Sequence, residues 1–178
     1  IVHQDNYIYR INSAHNDNKS IENIVGLLRK QVFAPEILLD LPGNKIRTTK
    51  LAKPITVEKG KKFILKSSNT NFPGFIEYLK KDKMVYADDS TLTFQVIECN
   101  SNEILFYSYS DGILKKDKGL HIRGIHSDIP FIFDKDLELI DVANLLKLNY
   151  IGLSFVRDTR DIDSARKILT LMSEKKEI

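Results

Sequence analysis

Ile37-Leu-Leu-Asp-Leu-Pro-Gly-Asn-Lys-Ile-Arg-Thr48 is the stretch from which the fold of this chain is read. Its aliphatic start predicts a buried strand, and Asp40 closes that strand with a carboxylate. Gly43 permits a tight turn or a close backbone approach. Lys45 and Arg47 then alternate, so that both side chains leave an extended segment on the same side. Apolar residues position the stretch, and its charged residues face a ligand. In β/α architectures the carboxyl ends of buried strands are where ligands bind, because the loops converge there.

Working outward, the flanks supply the matching helices. A strand over Tyr7–Ile11 precedes a helix in which Ile21, Ile24, Val25 and Leu28 fall at i, i+3, i+4 and i+7, with Ser20 as its cap. After a break at Phe33-Ala-Pro35 comes the strand Glu36–Asp40. Much later, Asp134 or Asp136 starts a helix that buries Leu139, Val142, Ala143 and Leu146, and a strand over Tyr150–Val156 follows. Asp161 and Asp163 favour the start of a last helix with the stripe Ile162, Ala165, Ile168, Leu169 and Met172. Alternating elements with buried strands predict a parallel α/β sheet.

Between Lys50 and Gly124 the pattern changes. Phe63–Leu65, Met84–Ala87, Leu92–Cys99 and Glu103–Tyr109 read as short strands joined by turns such as Asn100-Ser-Asn102 and Asp111-Gly112. The expected organisation is therefore a β/α part over 1–49, an all-β domain of roughly 70 residues inserted over 50–124, and the β/α part resumed over 125–178. A closed eight-stranded β/α barrel takes about 250 residues. Three β/α units are present, so either other segments complete a barrel or the layer keeps an exposed edge. The chain opens at Ile1 without a methionine and stops at Ile178 just after a helical pattern, which reads as a piece cut at both ends.

Composition narrows the function. With 42% hydrophobic and 29% charged residues the chain has the makeup of a soluble globular protein with a real core. A net charge of +3, from lysines scattered along the chain, is too mild to predict nucleic-acid binding. The single cysteine, Cys99, cannot form an internal disulfide; it fits a reducing cytoplasm and reads as a small apolar strand residue. The apolar runs are too short to cross a bilayer, and no membrane partner is expected.

The candidate site residues each admit a bland reading. Arg10 and Asp40, at two strand ends, form either a structural ion pair or a ligand site. Asn12 and His15 follow the first strand. Lys45 and Arg47 beside Asp40 suit an anionic phosphate, arginine by bidentate contact and lysine as a point charge, or else they are solvated loop charges. Asp88-Asp89 binds a cation or simply forms a turn. Lys118-Gly119 leaves the β region, and Ser154-Phe-Val-Arg157 ends the last strand.

Taken together, Tyr9-Arg-Ile-Asn-Ser-Ala-His15, the opening stretch, Asp88-Asp-Ser90, Asp117-Lys-Gly-Leu120 and Ser154-Phe-Val-Arg157 resemble the first part of pyruvate kinase in order and spacing. In that family an Arg, Asn, Ser and His close one strand, an Asp-Thr-Lys-Gly-Pro-Glu-Ile-Arg motif closes the next, and a small β domain with an Asp-Asp-Gly turn and a Lys-Gly-Val exit follows. A Ser-Phe-Ile-Arg strand comes after it. The resemblance implies a partial (β/α)8, or TIM, barrel with an inserted small β-barrel lid. It implies phosphoryl transfer between phosphoenolpyruvate and ADP, giving pyruvate and ATP in glycolysis. Arg10, Arg47 and Lys118 would be catalytic. Arg10, Asn12, His15, Arg47 and Lys118 would surround phosphates, Asp89 would face the nucleotide from the lid, and Asn12 and Asp40 would belong to a monovalent-cation site. Arg10, Asp40, Arg47 and Lys118 are expected to converge on one phosphate-sized cleft.

Departures from the family pattern sharpen the expectation. Ala14 stands where a potassium-binding serine is expected, Leu41-Pro42 replaces Thr-Lys, and Lys45 replaces the glutamate. Lys45 and Leu41 resemble the potassium-independent members, whose tethered ammonium replaces the ion. Asn16, Ser90 and Arg123 also depart. The catalytic lysine and the magnesium carboxylates of the family follow in sequence beyond Ile178, so magnesium is expected as a cofactor with ligands outside this segment. A homo-oligomer is expected for the full-length protein. The competing readings are a noncatalytic, phosphate-ligand-binding regulatory relative and an independent β module for nucleic acid or protein.

Overall fold

A computed structural model describes residues 7–31 and 35–174. Phe33 and Ala34 of the expected break lie outside the described residues. The chain forms two compact units, residues 1–44 with 131–178 and residues 45–130.

The first unit begins with β1 (Ile8–Asn12), α1 (Asn18–Arg29) and β2 (Glu36–Asp40). The cap of α1 is Asp17, not Ser20: the Ser20 N–H donates to Asp17 Oδ1 at 2.8 Å, one turn before the expected start. A carboxylate at this position satisfies a free N–H and complements the helix dipole. The predicted stripe holds, with Ile21 and Val25 buried and Ile24 and Leu28 packed against the core.

Residues 45–130 contain β3 (Ile55–Val57), β4 (Lys62–Lys66), β5 (Met84–Ala87), β6 (Leu92–Cys99), β7 (Glu103–Ser108), β8 (Gly112–Leu114) and β9 (Leu120–Ile122). Strands β3, β8 and β9, three residues each, escaped the sequence reading because such short runs show no clear alternation. An antiparallel sheet runs β4-β7-β6-β5-β9, and β3 pairs with β8. Turns of 3-10 helix at Ser67–Asn69 and Pro73–Tyr78 interrupt the strands. Phe63, Phe94 and Phe106 pack edge-to-face or tilted across the core, and Phe75 is fully buried as well. Each fully buried phenylalanine contributes on the order of 2–3 kcal/mol. This unit reaches beyond 50–124, because Leu120 N–H donates to Ile46 O at 2.8 Å, Thr48 bridges Thr70, and Ile125 and Ile129 are buried.

The first unit resumes with α2 (Asp134–Leu145), β10 (Tyr150–Gly152) and α3 (Thr159–Glu174). Its sheet is parallel, in the order β1-β2-β10. Ile37 and Leu39 of the central strand lie in one core with Leu139, Ile140 and Ala143 of α2, and Ile168, Leu169 and Met172 of α3 pack against it. The last strand is shorter than the predicted 150–156. After Gly152, Ser154 turns toward Asp40 and Phe155 takes φ +60°, a backbone no strand tolerates. Among the described residues this sheet has three strands with β1 and β10 at its sides, and Tyr7, Ile8 and Tyr150 are exposed.

Candidate functional site

Parallel register sets the first cluster. Asn12 pairs with Asp40, and Asp40 with Gly152, so three strand ends meet at one rim. Arg10 reaches Asp40 Oδ2 with Nε at 3.1 Å and also with Nη2. Ser154 Oγ donates to Asp40 Oδ1 at 3.3 Å, and Ser13 Oγ donates to the Asp40 carbonyl. The Asp40 side chain is 17% exposed and the Arg10 side chain 62%, so the carboxylate sits inside the rim while the guanidinium stands at its outer side.

Behind the rim, Gly43 adopts φ +67°, and a Cβ there would meet Ser154 O at 2.9 Å and Phe155 Cδ2 at 3.0 Å. The loop after β2 is thus pressed against the loop after β10, and only glycine fits. Asp136 fixes this loop from α2: its carboxylate accepts the Gly43 N–H at 3.1 Å and the Phe133 N–H at 2.9 Å. Burial raises the Asp136 pKa above the ordinary carboxylate value, against the lowering effect of the two N–H donors. After β10, Arg157 binds Asp161 through Nε at 2.9 Å and Nη2 at 2.7 Å and lies over the Phe131 ring. These hydrogen bonds from Arg157 lower the Asp161 pKa.

The second cluster lies within residues 45–130. A bridge joins Arg47 to Gly119, the residue after Lys118. Lys118 Nζ is 2.7 Å from Asp88 Oδ1, and Lys45 Nζ is 3.8 Å from Asp89 Oδ1. The Lys45 stem crosses Gly119, where a Cβ would meet its Cε at 2.5 Å. Asp88, Asp89 and Ser90 all have positive φ, between 51° and 70°. Three successive side-chain-bearing residues in this region store backbone strain, and the family glycine that would relieve it is Ser90 here.

The structure therefore pairs Arg10 with Asp40 in one unit and, in the other, Lys118 with Asp88 and Lys45 with Asp89, with Arg47 bridged to Gly119. Asn12 does not join the Arg10–Asp40 pair; its Oδ1 accepts the Ala14 N–H at 3.0 Å and caps a short 3-10 turn. His15 is exposed at the end of that turn. Among the described residues, neither the His15 imidazole nor the Arg47 guanidinium has a hydrogen bond or ion pair. Sequence reading missed Asp136 as a loop anchor and Thr48 as a partner of residues 115–118, since both act across long separations. For Asp136 a signal existed: an acid at the start of a helix beside a glycine loop.

The donor set also tests two ions. Asp40 and Asn12 have their side-chain oxygens engaged by Arg10, Ser154 and Ala14, and Ala14 itself offers no side-chain oxygen, which fits a monovalent cation poorly. Among the described residues no group of three or more His, Cys, Asp or Glu side chains is placed to hold a metal ion. No described helix is long and apolar enough to cross a membrane.

Comparison with known proteins places these features in context. The family model "Pyruvate kinase, barrel domain" matches residues 1–178. A pyruvate kinase of Borreliella burgdorferi is 26% identical over 171 residues, covering 92% of this chain and 36% of that protein. One of Chlamydia pneumoniae is 27% identical, covering 95% and 38%. Plastidial pyruvate kinase 2 of Arabidopsis thaliana is 23% identical, covering 91% of this chain and 30% of that protein. The crystal structure of Cryptosporidium parvum pyruvate kinase superposes with a TM-score of 0.80 at 23% identity, covering 96% of this chain and 39% of that one. The chain spans a little over a third of the length of the first two relatives.

Proposed function

Because the chain belongs to the pyruvate kinase family, we propose that it is the part of a phosphotransferase that grips the phosphates while phosphoryl passes from phosphoenolpyruvate to ADP. Arg10, Arg47 and Lys118 are the proposed catalytic cations. With Asn12 and His15 they surround phosphate oxygens, and Asp89 faces the nucleotide. Residues 45–130 act as the inserted β-barrel lid that excludes water, and the other unit is part of a TIM barrel. The catalytic lysine and the magnesium carboxylates come from sequence outside this segment. The complete protein is a cytoplasmic homo-oligomer in this reading.

The observation that carries the proposal is Arg47. Lys118, Lys45 and Arg10 each have a carboxylate within 4 Å, whereas Arg47, held by its backbone to Asn71 and Gly119, has none among the described residues. A guanidinium on an anchored backbone and without a counter-charge is available to a phosphate, whose transfer spreads negative charge over several oxygens. Residues 45–130 contain 15 Lys and Arg against 10 Asp and Glu, so the positive excess of the chain resides beside it.

The complete protein should form pyruvate from phosphoenolpyruvate with magnesium and ADP, and Arg47→Ala should lower kcat by about 100- to 1,000-fold. Absence of pyruvate from a folded, full-length preparation would reject this reading in favour of a noncatalytic phosphate-binding relative. Potassium independence is part of the proposal. Arg10 neutralises Asp40 and Asn12 is committed to Ala14, so the Asp40 carboxylate already has its counter-charge, while the Lys45 ammonium that the resemblance offers as the substitute is paired with Asp89. Replacing potassium by a bulky cation at constant ionic strength should leave the rate unchanged; strong stimulation by potassium would remove this part alone.

A further inference from the structure

Thr48 is fully buried and is bonded along its whole length to the segment that carries Lys118. Its N–H donates to Lys118 O at 2.9 Å, and its carbonyl accepts the Asp117 N–H at 2.6 Å. Its hydroxyl does two further things. Oγ1 donates to Lys115 O at 2.7 Å and accepts the Lys118 N–H at 3.0 Å. Between these contacts Asp117 takes φ +63°, so the chain turns sharply just before Lys118. A hydroxyl can give and receive a hydrogen bond at one atom, which neither valine nor alanine can do. The backbone bonds form with any residue at this position, but the two at Oγ1 depend on the side chain.

The other end of Lys118 is held as well. Its ammonium lies 2.7 Å from Asp88, whose own N–H donates to Gly119 O at 3.1 Å. Lys118 is therefore fixed at backbone and at charge, on a segment with a left-handed residue that would otherwise relax. We propose that Thr48 is a positioning residue for Lys118: its hydroxyl sets the turn at 115–118 and so the direction from which the ammonium meets a phosphate. The proposal rests on the reading of Lys118 as a phosphate-binding cation.

The test uses the complete protein with Thr48→Val, which removes both hydroxyl bonds at nearly constant volume, and Thr48→Ser, which restores them. Hydrogen exchange of residues 115–119 should accelerate roughly tenfold or more in Thr48→Val, with β6 and β7 unchanged and Thr48→Ser close to wild type. For pyruvate formation, kcat/KM should fall about tenfold in Thr48→Val and be largely restored by serine. On a Lys118→Met background the same change should cost less than about twofold, because the residue it aims is gone. Unaltered exchange, serine behaving like valine, or an undiminished loss on the Lys118→Met background would each overturn the proposal. If the wild type makes no pyruvate, the phosphotransferase reading falls, and the exchange result alone decides whether Thr48 sets the turn. Should the valine variant not fold, Thr48→Ala carries the same comparisons.

Discussion

The two clusters hold opposite charges together by different means. At the rim of the parallel sheet, Arg10, Asp40 and Ser154 meet because strand register puts Asn12, Asp40 and Gly152 side by side. In residues 45–130, Lys118 and Lys45 meet Asp88 and Asp89 because a turn of three positive-φ residues projects the acids. The first arrangement is enforced by sheet hydrogen bonds and a tightly packed loop. The second depends on a strained turn and on half-exposed pairs, each worth at most about 1 kcal/mol. Geometry locked by packing resists change; geometry held by strain can be eased.

The sharpest way to break this contrast is Gly43→Ala. The new Cβ meets the Ser154 backbone oxygen, which cannot move aside, at a φ that disfavours side chains, so a loss of about 3 kcal/mol is expected in urea unfolding. A loss below about 1 kcal/mol would show that the rim loops are loosely packed.

Acid titration should separate two carboxylates that anchor the rim. Asp136→Ala leaves the Gly43 and Phe133 N–H groups without an acceptor and should cost about 2 kcal/mol. In the wild type, Asp136 has a raised pKa, so its contribution is complete below 3.8 and declines as pH rises through the folded value. Asp161 works the other way. Its pKa is lowered by Arg157, so its contribution is present above 3.8 and is lost as pH falls through the folded value. Stability measured from pH 6 down to pH 2 should fall less steeply below 3.8 in Asp161→Asn than in wild type. Parallel curves would remove the Arg157–Asp161 pair from the account.

In the strained turn, Ser90→Gly should stabilise the protein by about 1 kcal/mol, because glycine adopts φ +70° without penalty. A thermal melt reads this as a rise in Tm; a decrease would mean that the serine side chain, not the strain, matters. The smallest effect is expected for Gly119→Ala. Its Cβ would also collide, at 2.5 Å, but with the far end of the Lys45 side chain, which can swing away toward solvent. The cost should stay below about 0.5 kcal/mol in the same urea assay. Equal penalties at Gly43 and Gly119 would erase the distinction between the two clusters.

How much of this was legible beforehand follows from the same distinction. The helical stripes of α1 and α3, the buried strand Ile37–Leu39 and the change to strand-like patterning after Lys50 are local signals, and the structure has the corresponding elements. The cap at Asp17 was missed although it is local, because Ser20 is an equally good cap residue three positions on; the three-residue strands are too short to show alternation, and the early end of β10 depends on a partner elsewhere. Ser154 bends to Asp40 across 114 residues, and no pattern within a strand announces that.

The order of hydrophobic and charged segments alone determined a parallel β/α part, a β-rich stretch and the residue types offered to a phosphate. Tertiary structure decided the rest: that Asp40 is neutralised by Arg10, that Asn12 is a cap, that Asp136 grips Gly43 and that Thr48 holds the Lys118 segment. Periodicity reports which face of an element is buried, since burial acts on neighbours along the chain. Which carboxylate meets which cation depends on register and turn geometry, and these exist only once distant segments have packed.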